Sequence, residues 1–507
     1  MTPGTLSRLH QSHQGHSFIV AVPDYHYSNS SMRIIRILCL LWVTEAFLPP
    51  QQLQLHRCLS VPLALTSTPS LSSDENVPNE AQDAAISSTN NKRLYSTSFS
   101  VMKAMLGTGL LSLPSGLAAI SNDPSSLWAG CTFFSLIAAL SAYTFALYGR
   151  LTHAYFPKAN NLGDLWQAVY AEKKSTLIPF SNFIYCFGCA LAYILVIGDS
   201  VTSLMGAWWS NRSAFILAVA GGILWPLCNL PSLASLAPLS LIGVTGTVVT
   251  TAFLAWRCPV LQPSSPYATA GLFHTYNRVA SPAPLLLIAM SCVALMAHFS
   301  APEFYHALTG GRTSNDAAIR DESVLKKFNI MTAFSYSAVT LISMAAMAFG
   351  FLTFGANAQG IILNNYPAQD WGAKVSKSLI VTSVVGGFPF VFDACRSAAL
   401  QLWGKGREGE KKQVTALLLS ILTGIALFVK DAGFVISFNG ALTGTAIIYT
   451  YPALLYLKHT SKDVTRRMKN KLERYFCKFL VGFGFACSIL GAITAVLHSY
   501  FPHVLGV

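Results

Sequence analysis

Long apolar runs, separated by short polar segments, occupy the chain from Ser98 to Ser499. Each run has about 20 residues, the length that an α-helix needs to cross a hydrocarbon core roughly 30 Å thick. The pattern predicts an all-α polytopic membrane protein. We predict eleven transmembrane helices, at residues 98–120, 127–149, 180–206, 213–229, 237–256, 284–307, 328–354, 378–400, 413–429, 434–457 and 479–499.

The first run is interrupted by glycine. Gly107, Thr108 and Gly109 separate its first half from Leu110 and the apolar residues that follow. Inside hydrocarbon every backbone amide needs a partner, so such a break is tolerated where the freed groups face protein or a watery cavity. The break therefore predicts a binding site in helix one. Close packing of two helices at the glycines is the alternative.

The sixth run carries polar residues at a similar depth. Its sequence, LLLIAMSCVALMAHFSAPEFYHAL, contains His298, Ser300, Pro302 and Glu303. Ionisable side chains inside a membrane cost about 2 to 3 kcal/mol each and usually face a cavity or a partner. Two inverted repeats of five helices place a second broken helix five runs after the first. Helices one and six are therefore predicted to be discontinuous and to share one site.

Residues 1–93 differ from the remainder of the chain. They are rich in Ser, Thr, Pro, His and Gln, and they predict a disordered or processed leader ahead of a membrane domain over residues 94–507. Met32 opens MRIIRILCLLWVTEAFLPP, which is typical of a signal peptide and makes Met32 an alternative start. The sequence around Ala46 and Phe47 also resembles the cleavage motif of plastid-targeting leaders, although acidic residues follow it.

Charge supports the membrane class and orients the chain. Only 11% of the residues are charged, against about 25% in soluble proteins. With a cytosolic amino end, 22 Lys and Arg residues fall in inside segments, and this bias predicts a carboxyl end that is outside or lumenal. The net charge of the chain is +13, but its basic residues are clustered in the short segments between the apolar runs. This distribution argues against nucleic acid as a partner. The outside segments contain only six Lys and Arg residues, namely Arg212, Arg257, Arg278, Lys374, Lys377 and Lys430.

Catalytic and metal-binding patterns are weak in this sequence. The 11 cysteines are scattered and match neither a zinc site nor a disulfide framework. No pair of carboxylates and no Ser–His pair at helical spacing indicates an active site more strongly than it indicates helix packing. We therefore expect no enzyme activity and no cofactor, and lipid as a partner. The oligomeric state stays open.

Five motifs occur in a characteristic order. They are KAMLGTGLLSLP, YCFGCALAYILVIGDSV, AHFSAPEFYHAL, FGFLTFGANAQGIILNNYP and PFVFDACRSAAL. With these motifs in register, the chain from Ser98 to Tyr500 resembles the amino acid/auxin permease family of the amino acid, polyamine and organocation superfamily. The resemblance implies an inverted five-plus-five helix repeat and transport of amino acids by alternating access.

An amino acid substrate suits the two predicted breaks. Backbone amides at the positive amino end of the outer half-helix match its carboxylate, and carbonyls freed at both breaks match its ammonium group. Tyr193 in helix three is predicted to cap the carboxylate, with a packing role as the alternative. The predicted substrate-binding residues are Gly107, Thr108, Gly109, Leu110, Tyr193, Ala294 and His298.

Candidate ion-coupling residues are Lys103, Asp199, His298, Thr382 and Ser383. Adjacent hydroxyls in helix eight resemble the sodium site of inverted-repeat transporters. Lys103, however, stands where sodium-coupled relatives tend to carry Asn, and its ammonium can occupy the space of the cation. His298 can carry protons because imidazole titrates near neutral pH. Each candidate also has a structural alternative. Asp199 and His298 can serve as structural hydrogen-bonding groups, and Thr382 and Ser383 can be part of a helix-packing face. Lys103 can extend its ammonium group to the membrane surface.

The predicted function is secondary active transport of amino acids, coupled to protons. Two alternatives are sodium-coupled amino acid symport and an amino acid sensor that signals without net transport. The expected host is the plasma membrane or a vacuole-type endomembrane, with the plastid envelope as an alternative. Selection among amino acids depends on the pocket walls.

Overall fold

The computed structural model describes residues 79–155, 159–171, 176–205, 211–230, 237–267, 278–279, 281–309, 322–403, 410–461 and 470–501. Residues 1–78 of the leader predicted over residues 1–93, including the signal-like segment at Met32, lie outside these ranges. Several basic residues that orient the chain lie outside them as well.

All regular structure within these ranges is helical. The α-helices are α1 Asn79–Met105, α2 Leu113–Ile120, α3 Ser126–Tyr155, α4 Leu162–Tyr170, α5 Leu177–Met205, α6 Arg212–Val219, α7 Trp225–Cys228, α8 Ala237–Arg257, α9 Pro284–Ala294, α10 Ala301–Thr309, α11 Glu322–Phe354, α12 Trp371–Trp403, α13 Lys411–Phe428, α14 Ala432–Asn439, α15 Tyr451–Ser461 and α16 Lys471–Tyr500. Short 3-10 turns lie at Thr108–Ser112, His298–Ser300, Gly355–Asn357 and Ile362–Asn365. Short π-helical turns lie at Ala220–Leu224, Gly440–Gly444 and Ala446–Thr450.

Eight helical segments among the described residues are long and apolar enough to cross a membrane. Helix one adds a ninth when its two halves, which are bent by 43° relative to each other, are counted together. The predicted runs 213–229 and 237–256 are also helical, as α6 to α7 and as α8, but fall outside those nine. The chain is thus an all-helical membrane protein, and the number of eleven spans stays a prediction.

Helix α1 begins at Asn79 and crosses the predicted boundary between leader and membrane domain. Its first part, NEAQDAAISS, is polar, but it contains neither proline nor glycine, and Ala, Glu and Gln favour helix. A search for apolar periodicity misses such a segment because it offers no hydrophobic face. The first helix therefore starts well before its apolar run.

The two central spans of the bundle run from α9 to α10 and from α14 to α15. In these spans 72% and 78% of the most apolar stretch is buried, whereas the corresponding fraction in α16 is 33%. α9 packs against α2, α14 and α16, and α12 packs along α5 and α8. Small residues allow these helices to pack closely against each other. A Cβ on Gly440 would lie 2.0 Å from the carbonyl oxygen of Ala289 in α9.

Candidate functional site

The first helix breaks at the predicted glycines. α1 ends at Met105, and Gly107 has an extended backbone with φ −137° and ψ −155°. The helix resumes as the 3-10 turn Thr108–Ser112. The amides of Thr108 and Gly109 open this turn, so neither has an acceptor within it. The break therefore presents backbone hydrogen-bond donors.

A second break interrupts the span Pro284–Thr309. α9 ends at Ala294, and a short irregular stretch precedes the 3-10 turn His298–Ser300. The two breaks contact each other directly. A Cβ on Gly109 would lie 2.8 Å from the backbone nitrogen of Ala294 and 3.0 Å from the carbonyl carbon of Val293. Glycine is required at position 109 because two backbones meet there.

A cavity of about 730 Å³ begins at these breaks. Its closed end is lined by the breaks and by residues of α5 and α14. Its walls follow α1, α10 and α12 to a mouth where lining residues are exposed, at Ala104, Glu303, Ser397 and Gln401. The mouth lies on the face of the bundle where α5 begins and α12 ends. A cavity of this volume accommodates a small organic molecule.

The cavity lining includes part of the predicted substrate site. Gly107, Thr108, Gly109 and Tyr193 line it. The Tyr193 ring lies between the first break and α12, because its hydroxyl is 3.4 Å from a Cβ placed on Gly107 and its ring is 3.6 Å from one placed on Gly387. The structure does not bring the remaining predicted residues into the lining, and all of them are fully buried: Leu110, Ala294 and His298.

His298 lies behind the second break. Its Nε2 donates to the carbonyl oxygen of Ser141 in α3 at 3.0 Å and lies 3.1 Å from Thr144 Oγ1. Its Nδ1 is 3.5 Å from the hydroxyl of Tyr336 in α11, and Phe145 packs edge-on to the imidazole. These contacts attach helix six to α3 and α11. Packing thus places His298 away from the cavity in which the sequence predicts it.

Lys103 lines the cavity between α1 and α12. Its Nζ lies 4.7 Å from the centroid of the Phe390 ring, within the range of a cation–π contact. Ser383 also lines the cavity, whereas Thr382 does not. Thr382 Oγ1 instead donates to the carbonyl oxygen of Ser378 at 2.9 Å. The two hydroxyls that the sequence assigns to one ion site therefore lie in different surroundings.

Asp199 forms an ion pair outside the cavity lining. Its Oδ1 lies 2.8 Å from Nε of Arg212 in α6. Arg212 Nη1 donates in turn to the carbonyl oxygen of Ala426 in α13, at 3.2 Å. The pair joins three helices, so the observed contacts of Asp199 are structural.

Sequence reasoning missed two buried polar residues. Asn439, the last residue of α14, lines the closed end of the cavity. Lys377 is 1% exposed, and its Nζ donates to Ser203 Oγ in α5 at 2.8 Å and to the carbonyl oxygen of Tyr366 at 2.9 Å. The sequence groups Lys377 with Lys374 in an outside segment. Both lie in α12, where the side chain of Lys374 is exposed and that of Lys377 is buried, a difference that the grouping did not predict.

Asp370 caps the amino end of α12. Its Oδ1 accepts from the Gly372 amide at 2.9 Å, and its Oδ2 accepts from the Tyr267 hydroxyl at 2.9 Å and lies 2.9 Å from Arg257 Nε. Burial favours the neutral acid. Hydrogen bonds from Arg257, Tyr267 and the Ala373 amide outweigh that effect and lower the pKa of Asp370 below its usual value.

Replacement Asp370→Asn is expected to lower the melting temperature of the detergent-solubilised protein at pH 7. Breaking a buried ion pair costs on the order of 3 kcal/mol. Because the folded-state pKa is lowered, the carboxylate stabilises the fold fully above its unfolded pKa of about 3.9, and this contribution is lost as the pH falls through the folded value. The difference between wild type and variant should therefore shrink below about pH 4. A constant difference would contradict this account. The exposed Glu322→Gln serves as the control.

Comparison with known proteins places the chain among transporters. The model of a family described as transmembrane amino acid transporter protein matches residues 91–305 and 314–494. The putative sodium-coupled neutral amino acid transporter 11 of Danio rerio is 23% identical over 419 residues, which cover 79% of this chain and 86% of the relative. Human sodium-coupled neutral amino acid transporter 7 is 24% identical over 393 residues, 71% and 78% of the two chains.

A yeast protein and a solved structure extend the comparison. Vacuolar amino acid transporter 2 of Saccharomyces cerevisiae is 23% identical over 353 residues, covering 65% of this chain and 69% of the relative. The inward-facing structure of Mhp1 aligns with a TM-score of 0.44 at 13% identity, over 79% of this chain and 88% of that one. These sequence relatives are transporters and not enzymes. Since the family model matches most of the chain, this protein belongs to the transmembrane amino acid transporter family.

Proposed function

We propose that the protein is a secondary active transporter that carries neutral amino acids by alternating access. The observation that carries this proposal is the meeting of two helix breaks at the closed end of a cavity. The amides of Thr108 and Gly109 suit a carboxylate, and the carbonyls at the broken helix ends suit an ammonium group. Every α-amino acid has these two groups, so this part of the site is independent of the side chain.

Neutral substrates match the walls of the cavity. The charged side chains of its described lining are Lys103, Glu303 and Asp393, and all three lie on the mouth side of the breaks. The closed end is lined instead by uncharged residues such as Tyr193 and Met296. A charged substrate side chain would be costly there without a partner. Two relatives are named as neutral amino acid transporters, in agreement with this reading.

The excess of basic residues in inside segments supports a cytosolic amino end. With that orientation the mouth faces the cytosol, and the proposed eleven-span, inverted-repeat transporter is in an inward-open state. The host is the plasma membrane or a vacuole-type membrane, the second of which appears in the name of the yeast relative.

Coupling to protons is the proposed driving mechanism, with Lys103 as the coupling residue. Its ammonium lies between α1 and α12, in the region that a coupling cation would occupy, and next to Phe390. Ser383 reaches the cavity without Thr382, which weakens a sodium site built on both hydroxyls. Sodium coupling is the second candidate because two relatives are named as sodium-coupled.

Purified protein in liposomes should take up neutral amino acids when a proton gradient is imposed, and replacement of sodium by choline should leave the rate unchanged. Lys103→Gln is expected to lose the response to the proton gradient and to retain exchange of substrate. Lys92→Gln, an exposed lysine on the same helix, is the matched control. Uptake is measured with a panel of labelled amino acids.

Three results would count against parts of this proposal. Uptake that requires sodium and ignores the proton gradient would replace proton coupling with sodium coupling. A normal proton response in Lys103→Gln would assign coupling to another residue. Tight binding of amino acids with no flux under any gradient would favour the sensor over the transporter.

A further inference from the structure

Asn439 occupies a distinctive position at the closed end of the cavity. It ends α14 and directly precedes the π-helical turn Gly440–Gly444. α14 packs against α5 and α9 and touches the 3-10 turn that follows the first break. Single π-helical turns within α-helices are frequent at functional sites. The side chain of Asn439 therefore lies near the backbone groups that suit the common part of an amino acid.

Gly188 in α5 makes room for this amide. A Cβ on Gly188 would lie 2.4 Å from Asn439 Cγ, 2.6 Å from its Oδ1 and 2.7 Å from its Nδ2. All three distances are too short for a real contact, so any larger residue at 188 displaces the amide. Both residues line the cavity. A glycine and an asparagine from different helices thus form one small polar wall.

The amide of Asn439 has unused hydrogen-bonding capacity. Nδ2 donates to the carbonyl oxygen of Tyr185 at 3.0 Å and, at 3.5 Å, to Cys189 Sγ, which is a weak acceptor. Oδ1 lies 3.2 Å from Thr443 Oγ1, whose single proton is shared with the carbonyl oxygen of Asn439 at 3.1 Å, and Oδ1 keeps a second lone pair. One acceptor position and one weakly used N–H are therefore available to a ligand. A carboxamide, which offers an N–H and a carbonyl together, complements this pair.

We propose that Asn439 determines specificity by binding the side chain of the substrate, and that it favours amino acids with a carboxamide side chain over apolar ones of similar length. This proposal rests on the proposed function, because it concerns the side-chain end of the same site. The breaks bind the groups that all amino acids share, and the wall of Gly188 and Asn439 distinguishes among them. Two additional hydrogen bonds are worth about tenfold or more in affinity.

The first test compares glutamine with methionine on the wild-type protein. The two side chains are similar in length, and only glutamine has the amide. Glutamine should inhibit uptake of a labelled substrate at concentrations at least tenfold lower than methionine. It should also raise the melting temperature more at equal concentration, as preferential binding to the folded state requires.

The second test measures the ratio of the two inhibition constants in variants. Asn439→Leu keeps the branching of the side chain, removes its hydrogen-bonding atoms and should bring the ratio close to one. Gly188→Ala should reduce the ratio by displacing the amide. Phe438→Leu changes the neighbouring residue of α14, which lies outside the lining, and should keep the wild-type ratio. The ratio does not depend on the amount of folded protein.

The outcomes separate this proposal from the broader one. A wild type that transports amino acids without preferring glutamine, or an Asn439→Leu variant that loses all substrates equally, overturns the specificity role and leaves transport intact. If Asn439→Leu does not fold, the wild-type comparison and Gly188→Ala still decide. A wild type that transports no amino acid refutes the proposed function itself.

Discussion

Gly109→Val is expected to abolish amino acid uptake while the protein still folds and inserts. The added Cβ would lie within 3.0 Å of backbone atoms of Ala294 and Val293. Backbone atoms cannot relieve such a clash by changing rotamer, as a side chain can. The two broken helices would be forced apart where their freed amides and carbonyls bind the substrate. A misplacement of 1 Å at a reacting or binding centre can cost about 100-fold in rate.

Initial uptake rates in liposomes measure this effect, and gel filtration with a thermal melt verifies folding. Gly482→Val is the matched control, because a Cβ on Gly482 in α16 meets no described atom within 4 Å. Rates close to wild type are expected for that variant. Normal uptake by well-folded Gly109→Val would refute the substrate site between the two breaks.

Lys377→Met is expected to reduce uptake about tenfold or more by weakening the face of the bundle opposite the cavity mouth, where α5 ends and α12 begins. The methionine keeps the length of the side chain but leaves Ser203 Oγ and the carbonyl oxygen of Tyr366 without the ammonium that bonds them. Each lost partner of a buried group costs about 1 to 3 kcal/mol. The loss destabilises the state in which the face opposite the cavity mouth is closed. The population therefore shifts towards states that are open on that side.

A membrane-impermeant thiol reagent, added on the side opposite the cavity mouth, measures that shift. Cys186 and Cys189 line the cavity and are the reporters. They should react faster in Lys377→Met than in wild type. Lys374→Met changes an exposed lysine of the same helix and should leave both labelling and uptake unchanged. Equal labelling of wild type and Lys377→Met would refute a role for Lys377 in closing this face.

Local sequence predicted the helix breaks because their cause is local. Gly107 and Gly109 in an apolar run are unfavourable for a continuous helix, and His298 and Pro302 mark the corresponding point in helix six. Each signal lies within a few residues of the feature it predicts. The positions of the two breaks in the chain also predicted that they would meet.

The surroundings of individual polar residues were harder to predict, because distant residues determine them. Lys377 resembles a surface lysine beside Lys374, and its acceptors come from Ser203, 174 residues away, and from the carbonyl of Tyr366. His298 and Asp199 are both polar groups in apolar runs, yet packing turns both away from the cavity. Sequence identifies such groups as needing partners and does not say whether a partner is protein or substrate.

One signal for the wall of Gly188 and Asn439 was present in the sequence. Asn439 is a single amide within the apolar run 434–457 and is followed by Gly440, a pattern similar to the polar and glycine signals of the two breaks. The contribution of Gly188 was not visible, because a glycine in a membrane helix has many packing roles. Only the distance between α5 and α14 reveals that it makes space for an amide.

Helix α1 has a mechanical consequence that follows from its length. It is continuous for 27 residues, about 40 Å, and ends at the break. If the inner half-helix tilts about Gly107 during transport, the helix acts as a lever whose far end at Asn79 moves most. A tilt of roughly 10° displaces that end by about 7 Å at this length. The polar end of α1 is therefore a natural place for a spectroscopic label that reports the transport cycle without touching the substrate.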